Sequence, residues 1–316
     1  MQRNTVTGNY SAPTKQFKDL TIVILHYSRP KDLRMTLQIL QAINKSSLDY
    51  EIIVVDNAST DGPPATPQNV HLIESKSNIG TSAWNLGFQK SKGKYILVLD
   101  DDCHIALRDI MALLEAANTE GADLITCDIF DKEPSSGGRS YHDVFPTGLL
   151  SFWGCCALIR RSAIEEIGGF DPNIFLWAHE LEFTFRLLNS GKKHVFVPNV
   201  HAIHRKPVPT PGESSSHKRR LNLKNHCYIA AKFLRTPHVI KSVLALWVAV
   251  LYLSLRHLNL AFLHDFLSGL RTGFINRAPV VDYSLSRKYA AEWPYFGLMQ
   301  QKKISKPRSQ KHLMIG

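Results

Sequence analysis

The sequence is poor in the cysteine patterns that cross-link small proteins or bind zinc in them. Its 316 residues include five cysteines, an odd number, with Cys155 and Cys156 adjacent and no two spaced as C-x-x-C. A disulfide framework and a zinc ribbon both require cysteines in regular pairs. The pattern excludes both classes of protein and favours a chain that works in a reducing compartment.

Long apolar runs are also lacking. Residues 1–18 contain no apolar stretch of the kind that a secretory signal peptide carries, and we interpret them as a flexible tail. Near the other end, residues 243–255 form a 13-residue apolar run, whereas a helix needs about 20 apolar residues to span a bilayer. The sequence therefore predicts neither secretion by a signal peptide nor a membrane-spanning helix.

Acidic residues are scarce in the last third of the chain. Residues 1–204 hold 19 Lys/Arg and 23 Asp/Glu, whereas residues 205–316 hold 19 Lys/Arg and 4 Asp/Glu, so the net charge of +11 comes from the C-terminal part. Such a part could contact anionic lipid, nucleic acid or a polyanionic substrate. It lacks interleaved stacking aromatics and any recognised RNA or DNA motif, so we expect no nucleic-acid partner.

The remaining patterns divide the chain into regions. In residues 19–204, buried β-branched strands alternate with amphipathic helices, which is typical of an α/β domain with a largely parallel sheet. Here Ser162 and Glu165 predict a capping box for a short helix, and Pro198 is expected to end the last strand. Residues 205–218 are rich in proline and serine and are interpreted as a linker.

Residues 219–316 are predicted to form a basic helical extension. An apolar stripe at helical spacing runs through Leu255, Leu258, Phe262, Phe266 and Leu270. Apolar stripes with basic flanks suit a helix that lies in a membrane interface. We therefore predict peripheral attachment to an anionic membrane, at the cytoplasmic face of the plasma membrane. The alternative is a helix packed on the α/β domain or on a second subunit of a homodimer.

Polar clusters follow three of the predicted strands. His26-Tyr27 comes after the first strand, Asp56-Asn57 after the second, and Asp100-Asp101-Asp102 after the fourth. Ligands of parallel sheets collect beyond the carboxyl ends of the strands. We therefore expect the three clusters to meet at one edge of the sheet and to form a binding site there.

The acidic triplet is the strongest single indication of chemistry. Adjacent carboxylates repel one another unless a cation neutralises them, and oxygen ligands favour Mg²⁺ or Mn²⁺. In extended backbone alternate residues face the same way, so Asp100 and Asp102 can converge on one ligand while Asp101 points elsewhere. The alternative is an acidic loop that caps the helix following Ile105.

Further motifs occur in a fixed order. They are His26-Tyr-Ser-Arg29, Val54-Val-Asp-Asn-Ala-Ser-Thr-Asp-Gly62, Asn78-x-Gly80, Asn85-x-Gly87, the acidic triplet, Trp153-Gly154, Gly168-Gly-Phe-Asp171, His179-Glu-Leu-Glu182 before a helix with Arg186, and His204. This order, over about residues 20–204, resembles the family-2 inverting glycosyltransferases, which have the GT-A fold: a mostly parallel central sheet flanked by helices. The V-D-N-x-S-x-D-G form of the second motif resembles transferases of bacterial surface polysaccharides, including rhamnosyltransferases.

The resemblance implies transfer of a sugar from a nucleotide-diphosphate donor, UDP- or dTDP-linked, to a hydroxyl of a glycan or lipid-linked acceptor, with Mg²⁺ or Mn²⁺ as cofactor. It also implies the binding residues. The metal would be held by Asp100, Asp102 and His204, the donor by His26, Tyr27, Arg29, Asp56, Asn57, Asn78, Gly80, Asn85, Asp100 and Asp101, and the acceptor by Trp153, Gly154, Trp177 and His179. Glu180 would be the general base that takes the proton of the acceptor hydroxyl, with Glu182 as a competing candidate.

The sequence departs from the family pattern at two positions. The usual Glu-Asp is His179-Glu180, and the Arg that often precedes the second Asn is Trp84, which leaves one donor contact unassigned. Structural alternatives also remain open: Trp153 and Trp177 could be core aromatics, Glu180 could favour a helix N-terminus, and His204 could be a loop residue.

Two other classes of protein stay open. A sugar nucleotidyltransferase would be expected to carry a glycine-rich, basic phosphate loop after the first strand, which His26 to Pro30 is not. A non-catalytic relative that binds a glycan or nucleotide sugar is disfavoured because both the Asp100/Asp102 pair and Glu180 are retained.

Overall fold

The computed structural model describes residues 19–43, 48–141, 151–206, 216–280, 282, 284, 286 and 287. The predicted tail (1–18), most of the predicted linker (207–215) and the end of the extension lie outside these residues. The strands are β1 (Leu20–His26), β2 (Tyr50–Asp56), β3 (Val70–Glu74), β4 (Tyr95–Asp100), β5 (Cys103–Ile105), β6 (Leu124–Phe130), β7 (Cys156–Arg160) and β8 (His194–His204). The helices are α1 (Pro30–Gln41), α2 (Trp84–Lys90), α3 (Leu107–Thr119), α4 (Arg161–Ile167), α5 (His179–Asn189), α6 (Ser216–Phe233), α7 (His238–His257) and α8 (Ala261–Ile275).

The strands form one mixed sheet in the order β3-β2-β1-β4-β7-β6-β8-β5. Its first four strands run parallel, and their apolar residues are buried in two clusters, one on each side. His26 pairs with Asp56 across β1 and β2, and Leu25 pairs with Asp100 across β1 and β4. This register brings the three predicted polar clusters to one edge, as the sequence predicted.

Antiparallel pairing brings a fourth group to the same edge. β7 is antiparallel to both β4 and β6, and β5 is antiparallel to β8, with Cys103 opposite His204. Because Cys103 directly follows Asp102, His204 lies beside the acidic triplet. The mixed α/β fold with a helical C-terminal part agrees with the prediction from sequence.

Two local predictions are wrong. β8 does not end at Pro198 but continues to His204, and its register against β6 shifts between Cys127 and Asp128. Such an irregularity accommodates a residue that has no amide hydrogen to donate. The capping box is absent because α4 already begins at Arg161, which leaves Ser162 inside the helix.

The C-terminal extension also differs from its prediction. α6 begins at Ser216, inside the segment predicted as linker. The apolar stripe is broken at Leu258, which follows α7 in a left-handed conformation (φ 46°) and is 92% exposed. α7 and α8 are therefore separate helices, and the buried stripe residues Phe262 and Phe266 belong to α8.

The length of α7 corrects the expectation drawn from residues 243–255. The helix has 20 residues because it extends beyond the apolar run at both ends, and its most apolar window has a mean hydropathy of 1.8. By length and composition α7 could cross a membrane, although 33% of that window is buried within the protein.

Two glycines allow α8 to pack closely on α6. A Cβ on Gly269 would lie 2.3 Å from the carbonyl oxygen of Lys224, and one on Gly273 would lie 2.4 Å from that of Tyr228. Both distances are far below van der Waals contact. A larger residue at either position would therefore push the two helices apart.

The extension shares a hydrophobic core with the α/β unit. Phe233 of α6 stacks on Phe185 of α5 with ring centroids 5.2 Å apart, and both rings are fully buried. The cluster around them includes Ile174 and Leu181 from the α/β unit and Phe262 from α8. α6 is thus joined to the α/β unit through buried apolar surface.

We expect Gly273→Ala to lower the free energy of unfolding by about 1–3 kcal/mol, because overpacking a tight contact costs about that much. At an exposed helical position the same substitution would stabilise by roughly 1 kcal/mol. Urea denaturation measures the difference, with Thr272→Ala at the adjacent, partly exposed position as the control. A Gly273→Ala protein as stable as the wild type would contradict the close packing.

Candidate active site

The acidic triplet divides as extended backbone predicts. The Asp101 carboxylate contacts His26 Nδ1 at 2.8 Å and Arg29 at 3.1 Å, and all of its surface is buried. Asp100 and Asp102 instead converge with His204, each offering a ligand atom within 4.8 Å of the others. The Nε2 atom of His204 is 3.0 Å from Asp102 Oδ1 and 3.8 Å from Asp100 Oδ2.

Positive side chains surround Asp102. Arg29, which follows β1, and Lys206, which follows β8, both contact its carboxylate. Burial alone would raise the pKa of Asp102, but close contacts with His204 and Lys206 and the Arg29 charge hold that pKa well below its usual range. Burial raises the pKa of Asp100 to about 6. The two carboxylates of the pair therefore differ in proton affinity.

Tyr141 holds the His204 ring from behind. Its hydroxyl lies 2.9 Å from His204 Nδ1 and 3.1 Å from the carbonyl oxygen of Lys206. Because Nδ1 is engaged in this way, Nε2 is the ring nitrogen that faces the carboxylates. Sequence reasoning missed Tyr141, because its position depends on a contact with a residue 63 positions away.

These residues fit a divalent cation. His204 Nε2 lies 3.0 Å from Asp102 Oδ1, so one cation can be bound by both atoms. Neither atom has a hydrogen-bond partner among the described residues, although both are buried. Two carboxylates and one imidazole suit Mn²⁺ or Mg²⁺. A hydrogen bond behind the ligating imidazole, here to Tyr141, is usual for metal-binding histidines.

Asn57 and Asn78 organise the predicted donor side. Asn57 Nδ2 donates to Asn78 Oδ1 at 2.9 Å and to the carbonyl of Gly80 at 3.2 Å, and Asn57 Oδ1 accepts from the amide of Ile79 at 2.9 Å. Asp56 accepts hydrogen bonds from Ser59. These side chains shape the loops beside the strand ends.

Tyr27 is an exposed member of the donor-side set. It follows the buried His26 and is 39% exposed. Its ring can therefore contact a ligand, whereas the Asp56 and Asn57 side chains are nearly covered.

Asn85 is engaged elsewhere than predicted. Its amide donates to the carbonyl of Phe170 at 2.8 Å and accepts from the amide of Phe170 at 2.8 Å. Both ends of the side chain are thus used to hold the Gly-Gly-Phe-Asp turn, and a role of Asn85 in binding the sugar donor stays a prediction.

His179 also differs from its prediction as an acceptor contact. The ring is buried between Trp84, which stacks on it at 5.8 Å between centroids, and Phe170, which meets it edge-on at 4.9 Å. Burial lowers the pKa of His179 to about 3, so the ring is neutral. The two residues that depart from the family pattern, Trp84 and His179, are therefore in contact with each other.

Glu180 is held at the strand edge by a close backbone contact. Its Oε1 accepts from the amide of Gly154 at 3.2 Å, and a Cβ on Gly154 would lie 2.7 Å from the same oxygen. The next residue, Cys155, accepts a hydrogen bond through its carbonyl from the amide of Asp100. Glu180 is therefore connected to the metal-binding cluster through one short stretch of backbone.

The environment of Glu180 suits a base. Burial raises its pKa to about 7, so the carboxylate can take up a proton near neutrality. Glu182, the competing candidate, is fully buried and forms ion pairs with Arg186 and Lys232, both at 2.8 Å. A carboxylate engaged in this way is poorly placed to receive a proton from a substrate.

The two predicted acceptor tryptophans are partly exposed. Trp153 meets Tyr141 edge-on with ring centroids 5.0 Å apart, beside the metal-binding cluster. Trp177 lies just before α5, with Lys218 of α6 over its ring at 5.8 Å. Neither is fully buried, so part of each side chain is accessible to a ligand.

Solved structures share this architecture. A mannosyltransferase from Pyrobaculum calidifontis, solved with GDP-Man and Mn²⁺, superposes with a TM-score of 0.53 at 18% identity, covering 82% of this chain and 74% of its own. At this identity the likeness concerns the fold alone. Together with the sheet and the acidic edge, it defines the GT-A class of glycosyltransferase folds.

Sequence comparison agrees with the motifs. Residues 21–168 match the model of glycosyl transferase family 2, which identifies a glycosyltransferase domain of that family in this part of the chain. It is 26% identical over 239 residues to the low-salt glycan biosynthesis hexosyltransferase Agl10 of Haloferax volcanii, covering 66% of this chain and 74% of that protein. It is 33% identical over 85 residues, 27% of each protein, to an N-acetylglucosaminyl-diphospho-decaprenol L-rhamnosyltransferase of Mycobacterium tuberculosis.

We expect Asp102→Asn to weaken Mn²⁺ binding at least about tenfold, since it removes a charged ligand. Asp101→Asn is the matched control. It should keep Mn²⁺ affinity but lower the thermal midpoint, because Asp101 faces His26 and Arg29. Calorimetric titration with Mn²⁺ measures both affinities. An equal loss in the two variants would contradict the division of the triplet.

Proposed function

We propose that the enzyme transfers a sugar from a nucleotide-diphosphate donor to an acceptor hydroxyl, with inversion at the anomeric carbon. The observation that carries this proposal is the connection from Glu180 through Gly154 and Cys155 to Asp100, which sets a base beside a metal-binding cluster. Among the described residues, no second carboxylate contacts Glu180. A single base of this kind supports a single displacement. Inversion follows from attack opposite the leaving group.

Asp100, Asp102 and His204 would hold the divalent cation, Mn²⁺ or Mg²⁺. When bound, that cation would neutralise the negative charge that develops on the departing diphosphate. The Pyrobaculum calidifontis neighbour was solved with Mn²⁺, which supports Mn²⁺ as the first ion to test. Arg29 and Lys206, both in contact with Asp102, can bind phosphate oxygens from the protein side.

The donor pocket would extend from the cluster towards β1, β2 and β3. Tyr27 can cover the nucleobase, while Asp56 and the Asn57–Asn78 contacts form its floor. We propose UDP- or dTDP-linked sugars as donors. One relative is named a rhamnosyltransferase, which supports a deoxyhexose as the transferred sugar. Another is named a hexosyltransferase, which supports a hexose.

Glu180 would take the proton of the acceptor hydroxyl while the hydroxyl oxygen forms its bond to the anomeric carbon. The Gly154 amide holds Oε1 of the Glu180 carboxylate, and Oε2 lies 3.1 Å from His179 Nδ1. Trp153 and Trp177 would form the platform for an acceptor sugar. We propose a glycan or lipid-linked acceptor in cell-surface glycan synthesis. One relative is named for glycan biosynthesis, and the name of another includes N-acetylglucosaminyl-diphospho-decaprenol.

We expect Glu180→Gln to lower kcat at least about a hundredfold, since amide cannot accept the proton. Wild-type kcat should fall about tenfold per pH unit below the pKa of Glu180, which is about 7, because the base must be ionised. A panel of UDP- and dTDP-sugars with Mn²⁺ supplies the donor, and nucleotide release is measured in the presence of acceptor.

Glu165→Gln on the surface of α4 is the control and should retain wild-type kcat. Nucleotide binding by wild type and Glu180→Gln, without turnover in either, would favour the non-catalytic relative. Full activity of the Glu180→Gln variant would show that Glu180 is not the general base.

We also propose that α7 lies on an anionic membrane. Its exposed apolar residues recur on one face at helical spacing: Ile240, Leu244, Trp247, Val248, Leu251, Tyr252 and Leu255. The opposite face, with Leu246, Val250 and Leu253, is buried in the protein. Residues 216–280 contain 10 Lys/Arg and one carboxylate, Asp265, which pairs with Arg220. Apolar surface flanked by positive charge matches an anionic lipid surface, at the cytoplasmic side of the plasma membrane.

We expect the protein to sediment with phosphatidylglycerol vesicles at low salt, and a Leu244→Glu/Val248→Glu variant to lose at least about tenfold of that binding. Met111→Glu, on the exposed face of α3, is the matched control and should bind as wild type does. A wild-type dimer that the double substitution dissociates, with no vesicle binding in either protein, would assign the face to a second subunit instead.

A further inference from the structure

The backbone just before the base helix is strained. Trp177 (φ 62°) and Ala178 (φ 61°) are consecutive residues in the left-handed region, and neither is glycine. Each such residue costs roughly 1–3 kcal/mol and persists only where its surroundings hold it. Ala178 is the N-cap of α5, so this turn determines where Glu180 lies relative to Gly154.

The α/β unit holds one side of this turn. The Thr81 hydroxyl donates to the carbonyl of Ile174 at 3.1 Å, and the Thr81 amide donates to the carbonyl of Phe175 at 2.8 Å. These contacts join the turn to the loop that contains Gly80. They leave the next two carbonyls, of Leu176 and Trp177, to be satisfied from elsewhere.

α6 satisfies those two carbonyls. The side-chain amide of Asn225 donates to Leu176 O at 2.7 Å and to Trp177 O at 2.9 Å, and Asn225 is 2% exposed. One NH₂ group has two hydrogens, and here each is used. Asn225 therefore binds the strained turn directly, although it belongs to the C-terminal extension.

A second contact from α6 fixes the ends of the same segment. Lys232 Nζ lies 2.7 Å from Asp171 Oδ2, 2.8 Å from Glu182 Oε1 and 2.9 Å from the hydroxyl of Tyr228. Asp171 precedes the strained turn, and Glu182 lies in the first turn of α5. The buried ammonium thus ties together the two ends of residues 171–182.

The sequence spacing explains why α6 can do both. Asn225, Tyr228 and Lys232 are separated by three and four residues, which places them on one face of an α-helix. α8 contacts α6 through different atoms: Gly269 meets Lys224 and Cys227, and Gly273 meets Ala231 and the backbone of Tyr228 and Lys232. α6 is therefore held between α8 and the base helix.

We propose that Asn225 and Lys232 are positioning residues for Glu180, so that the C-terminal extension completes the catalytic site. The proposal rests on the assignment of Glu180 as base. Asn225 holds the left-handed turn, Lys232 holds its two flanks, and together they set the N-terminus of α5 against Gly154. Neither residue touches substrate; both act through the backbone that carries the base.

A loosened turn should affect the base and leave the donor site unchanged. The metal cluster is built from the ends of β4 and β8 and from Asp102, which lies just before β5. The Asn225 amide instead bonds the carbonyls of Leu176 and Trp177. Glu180 depends on burial for its raised pKa, and greater access of water would bring that pKa down towards its ordinary value. The decrease of kcat at acid pH would then begin at a lower pH, and the maximal kcat would fall.

The test compares wild type with Asn225→Ala in steady-state transfer between pH 5 and 9, with nucleotide affinity measured by calorimetry. We expect kcat to fall at least about tenfold, since a small misplacement of a catalytic group costs that much. The acid midpoint should shift down by about half a pH unit or more, with nucleotide Kd within about twofold of wild type. Asn222→Ala, one turn earlier on α6 and partly exposed, is the matched control and should match wild type.

A folded Asn225→Ala protein with wild-type kcat and acid midpoint overturns the proposal. If that variant does not fold, Lys232→Arg, which keeps the charge but changes the geometry of its contacts, is measured in the same way and must show the same midpoint shift. Failure of the proposed function is distinguishable, because wild type would then transfer no sugar, or would not depend on Glu180.

Discussion

Mutual repulsion among the carboxylates at the end of β4 is the constraint on which the site depends. Asp100, Asp101 and Asp102 can be adjacent only if positive charge comes from several directions. Asp101 is matched from the β1 end by Arg29 and contacts His26, whereas Asp102 is matched by Arg29 and Lys206 and contacts His204. Those partners come from opposite ends of the α/β unit, so the edge forms only when β1, β4 and β8 are assembled in one sheet.

Much of the site could be predicted because strand ends obey simple geometry. The β-branched runs gave β1, β2 and β4, and parallel pairing then required His26, Asp56 and Asp100 to meet. Alternation along extended backbone correctly separated Asp101 from its neighbours. These inferences use only period and direction, which are local properties of the sequence.

Contacts between distant segments could not be predicted in the same way. Asn85 is a residue type that often binds ligands. Both ends of its side-chain amide nevertheless form hydrogen bonds with the backbone of Phe170, 85 positions away. Pro198 looked like a strand end because the irregularity that accommodates it depends on β6. Leu258 matched the apolar period, but a left-handed turn at that residue divides the stripe. In each case tertiary pairing overrode a valid local signal.

The buried ammonium of Lys232 has a consequence for how such enzymes can diverge. Its partners Asp171 and Glu182 lie in the α/β unit, and removal of any one of the three would leave an uncompensated charge in the interior. The extension therefore cannot be exchanged as a cassette between relatives at residue 204. A viable chimera would have to inherit residues 171–182 and α6 from the same parent, so these segments should change together across lineages even where the intervening sequence drifts.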